Sequence, residues 1–372
     1  MSFIKFEVNA GVHNRKFCPI KFELDKNEIL NINDFSNLVM IDDTNKPIPV
    51  QCVDVGDTVD IFWIIDDLAA GTTRRYELCD RCAQEFSSEV VPVNWENKID
   101  INIDGKYFTS YVFDPLLAKP YLGPVIASGG SSYTRLEFDI KEHPHHRSVW
   151  VAIGDVNGVD FWNEPKGTYG KQKQLSITHT ESGTVKTEIN AKNVWTDFNN
   201  NPLLNETRKI TFYNIRPDKT YIDMDIVFNA AYGKVVFGPT KEAGPLGVRV
   251  AESMKVNNGG IMVNSYGAVG EDECWGKRAN WCDYHGVSGE NRLGIAVFDH
   301  PDNENYPTYW HIRNYGLLAP NNFYFTGSRV LEKDEVLRYR YRIYFHNNDT
   351  TDAFVSERYH DYINPPLVKK II

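Results

Sequence analysis

The sequence has no long apolar run. Its greasiest stretch, Val59 to Leu68, is broken by Asp60, Asp66 and Asp67 and falls far short of the ~20 apolar residues that a spanning helix needs, so a membrane role is excluded. Basic runs are also lacking. The chain carries 40 Lys+Arg against 50 Asp+Glu, a formal net charge of −10, which argues against nucleic acid as a main partner. Cysteine is sparse, with six residues (18, 52, 79, 82, 274 and 282) in 372. The start, Met1 to Glu7, has no basic segment leading into an apolar one, as a signal peptide would. Reduced thiols and a cytoplasmic location are therefore expected. Cys79 and Cys82 form a lone CxxC without the second ligand pair of a structural zinc site. There is no Walker loop, Rossmann fingerprint, GxSxG elbow, HExxH or EF-hand loop, so no cofactor and no metal are expected. No fixed-period repeat is visible, which disfavours propellers and solenoids.

Aromatic residues, in contrast, are abundant: 20 Phe, 20 Tyr and 8 Trp. Many of them fall on alternations of period two. Ile222, Met224, Ile226 and Phe228 alternate with Asp223 and Asp225, and Leu337, Tyr339, Tyr341, Ile343 and Phe345 alternate with Arg338, Arg340 and Arg342. Each pattern predicts a half-buried antiparallel strand. Shorter strands are predicted at 136–140, 99–103 (before the Asp104-Gly105 turn) and 208–213. The best helical pattern is Thr351 to Tyr362, with Asp349 or Thr350 as N-cap and Pro365-Pro366 as the stop. The fold class is thus all-β. A self-contained run of short strands before residues 85–97 predicts a small β-sandwich domain at 1–90, followed by a large antiparallel β domain at 91–372 that carries the site.

Four segments hold more titratable and aromatic residues than strand packing requires. In His143-Pro144-His145-His146-Arg147-Ser148-Val149-Trp150, extended backbone places His145 with Arg147, and His146 with Ser148 and Trp150. Three His in four positions also invite a metal reading, although Pro144 bends the segment and no further ligand pattern completes a set. In Thr240 to Glu252, Val248 and Val250 are expected in the core, with Arg249 and Glu242 towards a cleft. Glu242, in a Gly- and Pro-bounded loop, is the candidate general base. Trp275, Lys277, Trp281 and Asp283 belong to a third segment, where two Trp flanking a Lys-Arg pair suit the flat C–H face of a sugar ring. In the fourth, His311, Arg313 and Tyr315 share one face and Trp310 and Ile312 the other. His311 is read as a general acid and Arg313 as a charge stabiliser.

The stretches HPHHRSVW…GDVNGVDFW, TKEAGPLGVRVAESM, WGKRANWCDYHG and FDHPDNENYPTYWHIRNYGLLAPNNF resemble, in the same order from about Tyr121 to Phe325, a bacterial family of unknown function labelled methane-oxygenase PmoA-like. Ala10 to Ile20 resembles that family's usual start. The lack of a membrane span sets the chain apart from the membrane oxygenase in that label. The resemblance implies a link to bacterial carbohydrate use and a β-supersandwich similar to galactose mutarotase. In such folds His, Arg and acidic residues of a concave sheet act on sugars; here these would be His145, His146, Arg147, Glu242, His311 and Arg313. No clean aldose-epimerase signature accompanies them.

The combined expectation is a cytoplasmic carbohydrate-active enzyme that cleaves a glycosidic bond by acid–base chemistry, as a hydrolase or a lyase. His146, Glu242 and His311 would be catalytic. His145, Arg147, Trp150, Trp275, Lys277, Trp281, Asp283, Trp310 and Arg313 would bind substrate. Only Glu242 stands out as a carboxylate, with Asp283 or Asp155 as second members. The alternatives are a non-catalytic carbohydrate-binding or sensing protein, a sugar epimerase or mutarotase, and a His-ligated metalloenzyme. The expected partner is a small carbohydrate or glycoside, with self-association open, and clustered Lys, Arg and His on an acidic protein point to a polar or anionic sugar.

Overall fold

The computed structural model of the chain describes residues 2–29, 35, 38–80, 86, 88–135, 142–179, 182–242 and 244–371. The fold is all-β. Two eight-stranded antiparallel sheets pack face to face. The front sheet runs Tyr309–Arg313, Leu317–Asn321, Leu246–Arg249, Val149–Val151, Tyr121–Leu122, Lys106–Val112, Lys98–Ile103 and Val90–Asn94. The back sheet runs Lys171–His179, Lys186–Thr196, Pro202–Tyr213, Lys219–Asn229, Val336–Asn347, Asn291–Asp299, Trp281–Ser288 and Ile261–Asn264. The long alternations set the register. Ile222 lies opposite Ile343, Met224 opposite Tyr341 and Ile226 opposite Tyr339, and all six side chains enter the core between the sheets. The polar positions of the same strands pair on the outer face, where Arg342 meets Asp223 at 2.6 Å. Side chains two apart share a face, so one strand serves the core and the surface separately.

One ionic group is buried inside the large core. Glu206 accepts from Arg208 at 2.7 and 3.0 Å and from Trp195 at 2.8 Å. Arg208 also donates to Gln172 at 3.2 Å, and Gln172 donates to the Val151 carbonyl at 2.7 Å. This chain of bonds ties the back sheet to the front-sheet strand that carries Trp150.

The N-terminal strands make a second, smaller sandwich. Ser2–Asn9, Thr73–Asp80, Leu38–Asp42 and Pro47–Ile48 form one sheet, and Arg15–Asp25, Thr58–Leu68 and Gln51–Asp54 the other. Phe6, Trp63 and Tyr76 fill its core. The last strand, Leu367–Ile371, pairs with Ser2–Asn9 in this sandwich, so the range 91–372 overreaches at its C-terminal end. That strand is short and its burial barely alternates, which left no pattern to read. The helix spans Val355–Ile363 and starts later than expected, because Asp349 caps a turn instead, accepting from the Thr351 and Asp352 amides. Buried Arg15 reaches Asp361 and the Asn364 carbonyl, and so joins the helix to the small sandwich. The strand expected at 136–140, Cys82 of the CxxC and Ala243 lie outside the described residues. Cys18, Cys274 and Cys282 are buried thiols. Among the described residues, no helix is long and apolar enough to cross a membrane.

Glu206→Gln would leave the Arg208 guanidinium buried without its countercharge. It is expected to cost about 3–5 kcal/mol of unfolding free energy, as breaking a buried pair does, read as a lower midpoint in urea denaturation.

Candidate functional site

The outer face of the front sheet carries a cup built on Trp150. Opposite this indole lies Gly247, where an added Cβ would come within 2.5 Å of the ring, so only glycine lets Trp150 lie flat on the sheet. Four rings then stack upward. Trp150 and His146 are 5.0 Å apart and 21° from parallel, His146 and His143 4.8 Å and 16°, and His143 and Tyr315 4.5 Å and 19°. Trp162 meets Trp150 at a steep angle at 5.1 Å. Three residues that shape this cup, His143 (φ 44°), Ser148 (φ 63°) and Glu164 (φ 54°), adopt left-handed backbone. Non-glycine residues visit that region at a cost and often where function requires it.

Each cation of the cup has a carboxylate. Buried Arg249 donates to His146 Nδ1 at 2.9 Å and to Glu142, and its guanidinium lies 4.8 Å from the Tyr315 ring centre. Arg147 pairs with Glu164 at 2.9 Å, which also accepts from buried Lys119 at 2.7 Å. Arg313 pairs with Glu271 at 3.3 Å. The basic patch expected from the sequence is therefore neutralised, because acidic residues distant in sequence fold against it.

Burial controls protonation here. It pushes the His145 and His311 imidazoles down to about 3 and holds His146 well below its ordinary value, with nearby cations adding to the effect. These rings are neutral at physiological pH. The His311 ring hydrogen-bonds the Lys241 main chain, and its Nδ1 is buried without a hydrogen-bond partner, as is His145 Nε2. A neutral imidazole that donates from one nitrogen accepts at the other. Likewise, Arg249 can only donate, so His146 Nδ1 is the accepting nitrogen. Glu242, next to the Lys241 carbonyl, is raised by burial, and the Tyr315 phenol is pushed up to about 12 by burial and stays protonated.

His145, His146, Arg147, Trp150, Glu242, His311 and Arg313 thus gather on one sheet face, as expected. The remaining residues do not. Trp310 lies in the large core with Nε1 donating to the Ala279 carbonyl at 2.9 Å. Trp281 and Asp283 face away from the core on the outer side of the back sheet. There Trp281 packs near the helix, and Asp283 accepts from His346 at 3.0 Å and from Thr350 at 2.5 Å. Alternation along Trp281–Ser288 sends these side chains to the far side of the sandwich. Trp150 is buried as a floor and offers no open platform. Trp275 is half-buried against Phe325, and Lys277 is exposed beside the sheet edge. Asp155 is spent on a turn, accepting from the Gly158 amide at 2.7 Å. Glu142, Glu164, Glu271 and Lys119 carry no signal of their role, since nothing in their local sequence separates them from surface charges, and Trp162 is legible only as part of the stretch that carries the family resemblance. Of the three His of 143–146, His143 and His146 are rings of the stack and His145 meets both edge-on, and among the described residues no three His, Cys, Asp or Glu are placed to share a metal ion.

A family described as of unknown function, DUF6807, matches residues 98–360. The chain belongs to it. Every residue of the cup lies within that DUF6807 span, and the match does not carry the PmoA-like label. No curated protein matches the chain. Among solved structures, the chain is similar to the GH36 alpha-galactosidase AgaA from Geobacillus stearothermophilus, with 9% identity, 64% of this chain and 40% of that chain covered, and a TM-score of 0.34. A doubly substituted form of the same enzyme in complex with stachyose gives 10% identity, 65% and 39% coverage and the same TM-score of 0.34. The chain thus spans about two fifths of the length of those structures.

Gly247→Ala drives a methyl into the Trp150 ring. It is expected to destabilise the protein by about 1–3 kcal/mol and to change the near-ultraviolet circular dichroism of the ring stack.

Proposed function

We propose that the cup binds a sugar or glycoside and moves a proton on it, with Glu242 as general base. The observation that carries this reading is His311. Its neutral ring is tied by one nitrogen to the main chain of Lys241, the residue before Glu242, whose carboxylate has raised basicity, and the other nitrogen is a buried accepting atom without a partner. Acceptors of this kind, with Arg donors beside them, suit hydroxyl groups, which both donate and accept. Tyr315 is the proton donor of the set, because its phenol remains protonated.

Hydrolysis by a carboxylate pair needs two carboxyl groups free to handle protons or attack carbon. Glu142, Glu164 and Glu271 are held by Arg and Lys, whereas among the described residues the cation paired with Glu242 is the exposed Lys241, at 3.5 Å. One base with one phenol donor favours eliminative cleavage. Glu242 takes a proton from a ring carbon acidified by a neighbouring carbonyl or carboxyl. A carbon–carbon double bond forms as the glycosidic C–O bond breaks, and Tyr315 protonates the departing oxygen. The same pair also serves epimerisation, in which the proton returns to the carbon.

The test is turnover on a panel of glycosides, uronides and oxidised (keto) sugars. Glu242→Gln and His311→Ala are expected to lower kcat by at least about a hundredfold while ligand binding persists. Loss of binding in both variants, with no turnover by the wild type on any member, would favour a carbohydrate-binding protein instead. The pH profile gives a second check. Activity needs ionised Glu242, so it is lost as pH falls through a carboxyl pKa above the ordinary 4.5. His311, at about 3, adds no alkaline limb, so above the Glu242 limb kcat/KM is expected to stay flat up to about pH 8. A decline there would make His311 the protonated acid instead.

A further inference from the structure

Strand Tyr309–Arg313 extends the face of the cup beyond His311. Residues two apart share a face and lie ~7 Å apart along a strand, so Tyr309 sits one such step from His311, on the side away from Arg313 and Tyr315. Its ring is held in place. Arg278 donates to the Asn305 and Pro307 carbonyls at 3.0 Å each and lays its guanidinium 4.7 Å from the Tyr309 ring centre. Phe325 packs on Tyr309 at 4.6 Å and 33°, and Tyr324 meets Phe325 edge-on at 4.8 Å. Gly276 makes room for this packing, since an added Cβ would come within 2.7 Å of Phe325 Cζ.

This cluster is packed and yet open. Tyr324 is 42% exposed and Phe325 43% exposed, so both rings present open faces to a ligand. Along the strand, Tyr309 with the shelf packed on it lies to one side of His311, and Arg313 leading to Tyr315 lies to the other.

We infer that the shelf of Phe325 and Tyr324 is a second subsite, which takes the ring attached across the bond that His311 and Glu242 face. The ligand is therefore a glycoside with a flat-faced substituent, either a neighbouring sugar or an aryl group, and not a free monosaccharide. This inference rests on the carbohydrate reading of the cup. A sugar or aryl ring stacks by its C–H or π face on an aromatic side chain, and the shelf meets the cup through Tyr309, which shares a strand with His311 and carries Phe325 on its ring.

The experiment is calorimetric titration of the full chain with p-nitrophenyl glycosides, disaccharides and the matching free monosaccharides. For the sugar that binds, the ring-bearing forms are expected to bind about tenfold more tightly than the monosaccharide. Phe325→Ala and, separately, Tyr324→Ala are expected to reduce that preference to about twofold or less, and Phe325→Trp to keep it. Gains for the aryl glycoside alone, or for the disaccharide alone, identify which ring occupies the shelf. A preference that survives both Ala variants overturns the subsite, as does an equal loss for monosaccharide and glycoside. Self-association of the wild type that the variants abolish also overturns it, by making the shelf a contact between copies. Monosaccharide binding without any preference removes the subsite alone, whereas no binding of any sugar removes the reading of the cup and the subsite with it.

Discussion

The buried guanidinium of Arg249 organises the cup. It stands at the end of a front-sheet strand whose alternate residue, Val248, belongs to the core, so its direction is set by sheet geometry. A buried charge must be paired and hydrogen-bonded, and Arg249 meets that need with Glu142, His146 Nδ1 and the face of Tyr315. These contacts bring the His143–His146 segment and the Tyr315 turn together, fix the His146 tautomer and keep the ring neutral. The ring column from Trp150 to Tyr315 is the packing consequence of that one requirement.

The sandwich supplies the rigidity. Its two sheets are joined through the core by apolar packing and by the Glu206–Arg208–Gln172 chain, which ends on the Val151 carbonyl. The residue before that carbonyl is Trp150. The same strand therefore has its core side tied to the back sheet and its outer side under the cup. Neutral histidines follow from this burial. Where solvent is excluded and Arg and Lys lie near, an imidazole remains uncharged, and the site becomes a set of acceptors arranged around one basic carboxylate.

Much of the fold was legible because alternation is a local property. Leu337 to Phe345 and Tyr221 to Phe228 declare their buried faces residue by residue, and the structure uses those faces. The facing of His311, Arg313 and Tyr315 against Trp310 and Ile312 was legible for the same reason. Two kinds of feature were not. The start of the helix was misplaced because Asp349 caps a turn and not the helix, and the two choices look alike in sequence. The last strand, Leu367–Ile371, shows almost no alternation because only its pairing with Ser2–Asn9 makes it a strand.

By itself, the sequence determined the all-β class and the strand faces, since each depends on residues adjacent along the chain, whereas the grouping of His145, His146, Arg147, Glu242, His311 and Arg313 from three distant segments was only implied by the family resemblance. Only the tertiary structure decided which aromatics are open and which charges are neutralised. Trp281 and Asp283 were sent to the opposite face of the sandwich and Trp310 into the core, while Tyr324 and Phe325 remained exposed. Glu142, Glu164 and Glu271 were brought from separate segments of the chain to pair with Arg249, Arg147 and Arg313. The physical reason is that desolvation and charge pairing depend on what lies across space. Whether a histidine gives or accepts a proton is set by its burial and its partners, which arrive from elsewhere in the chain.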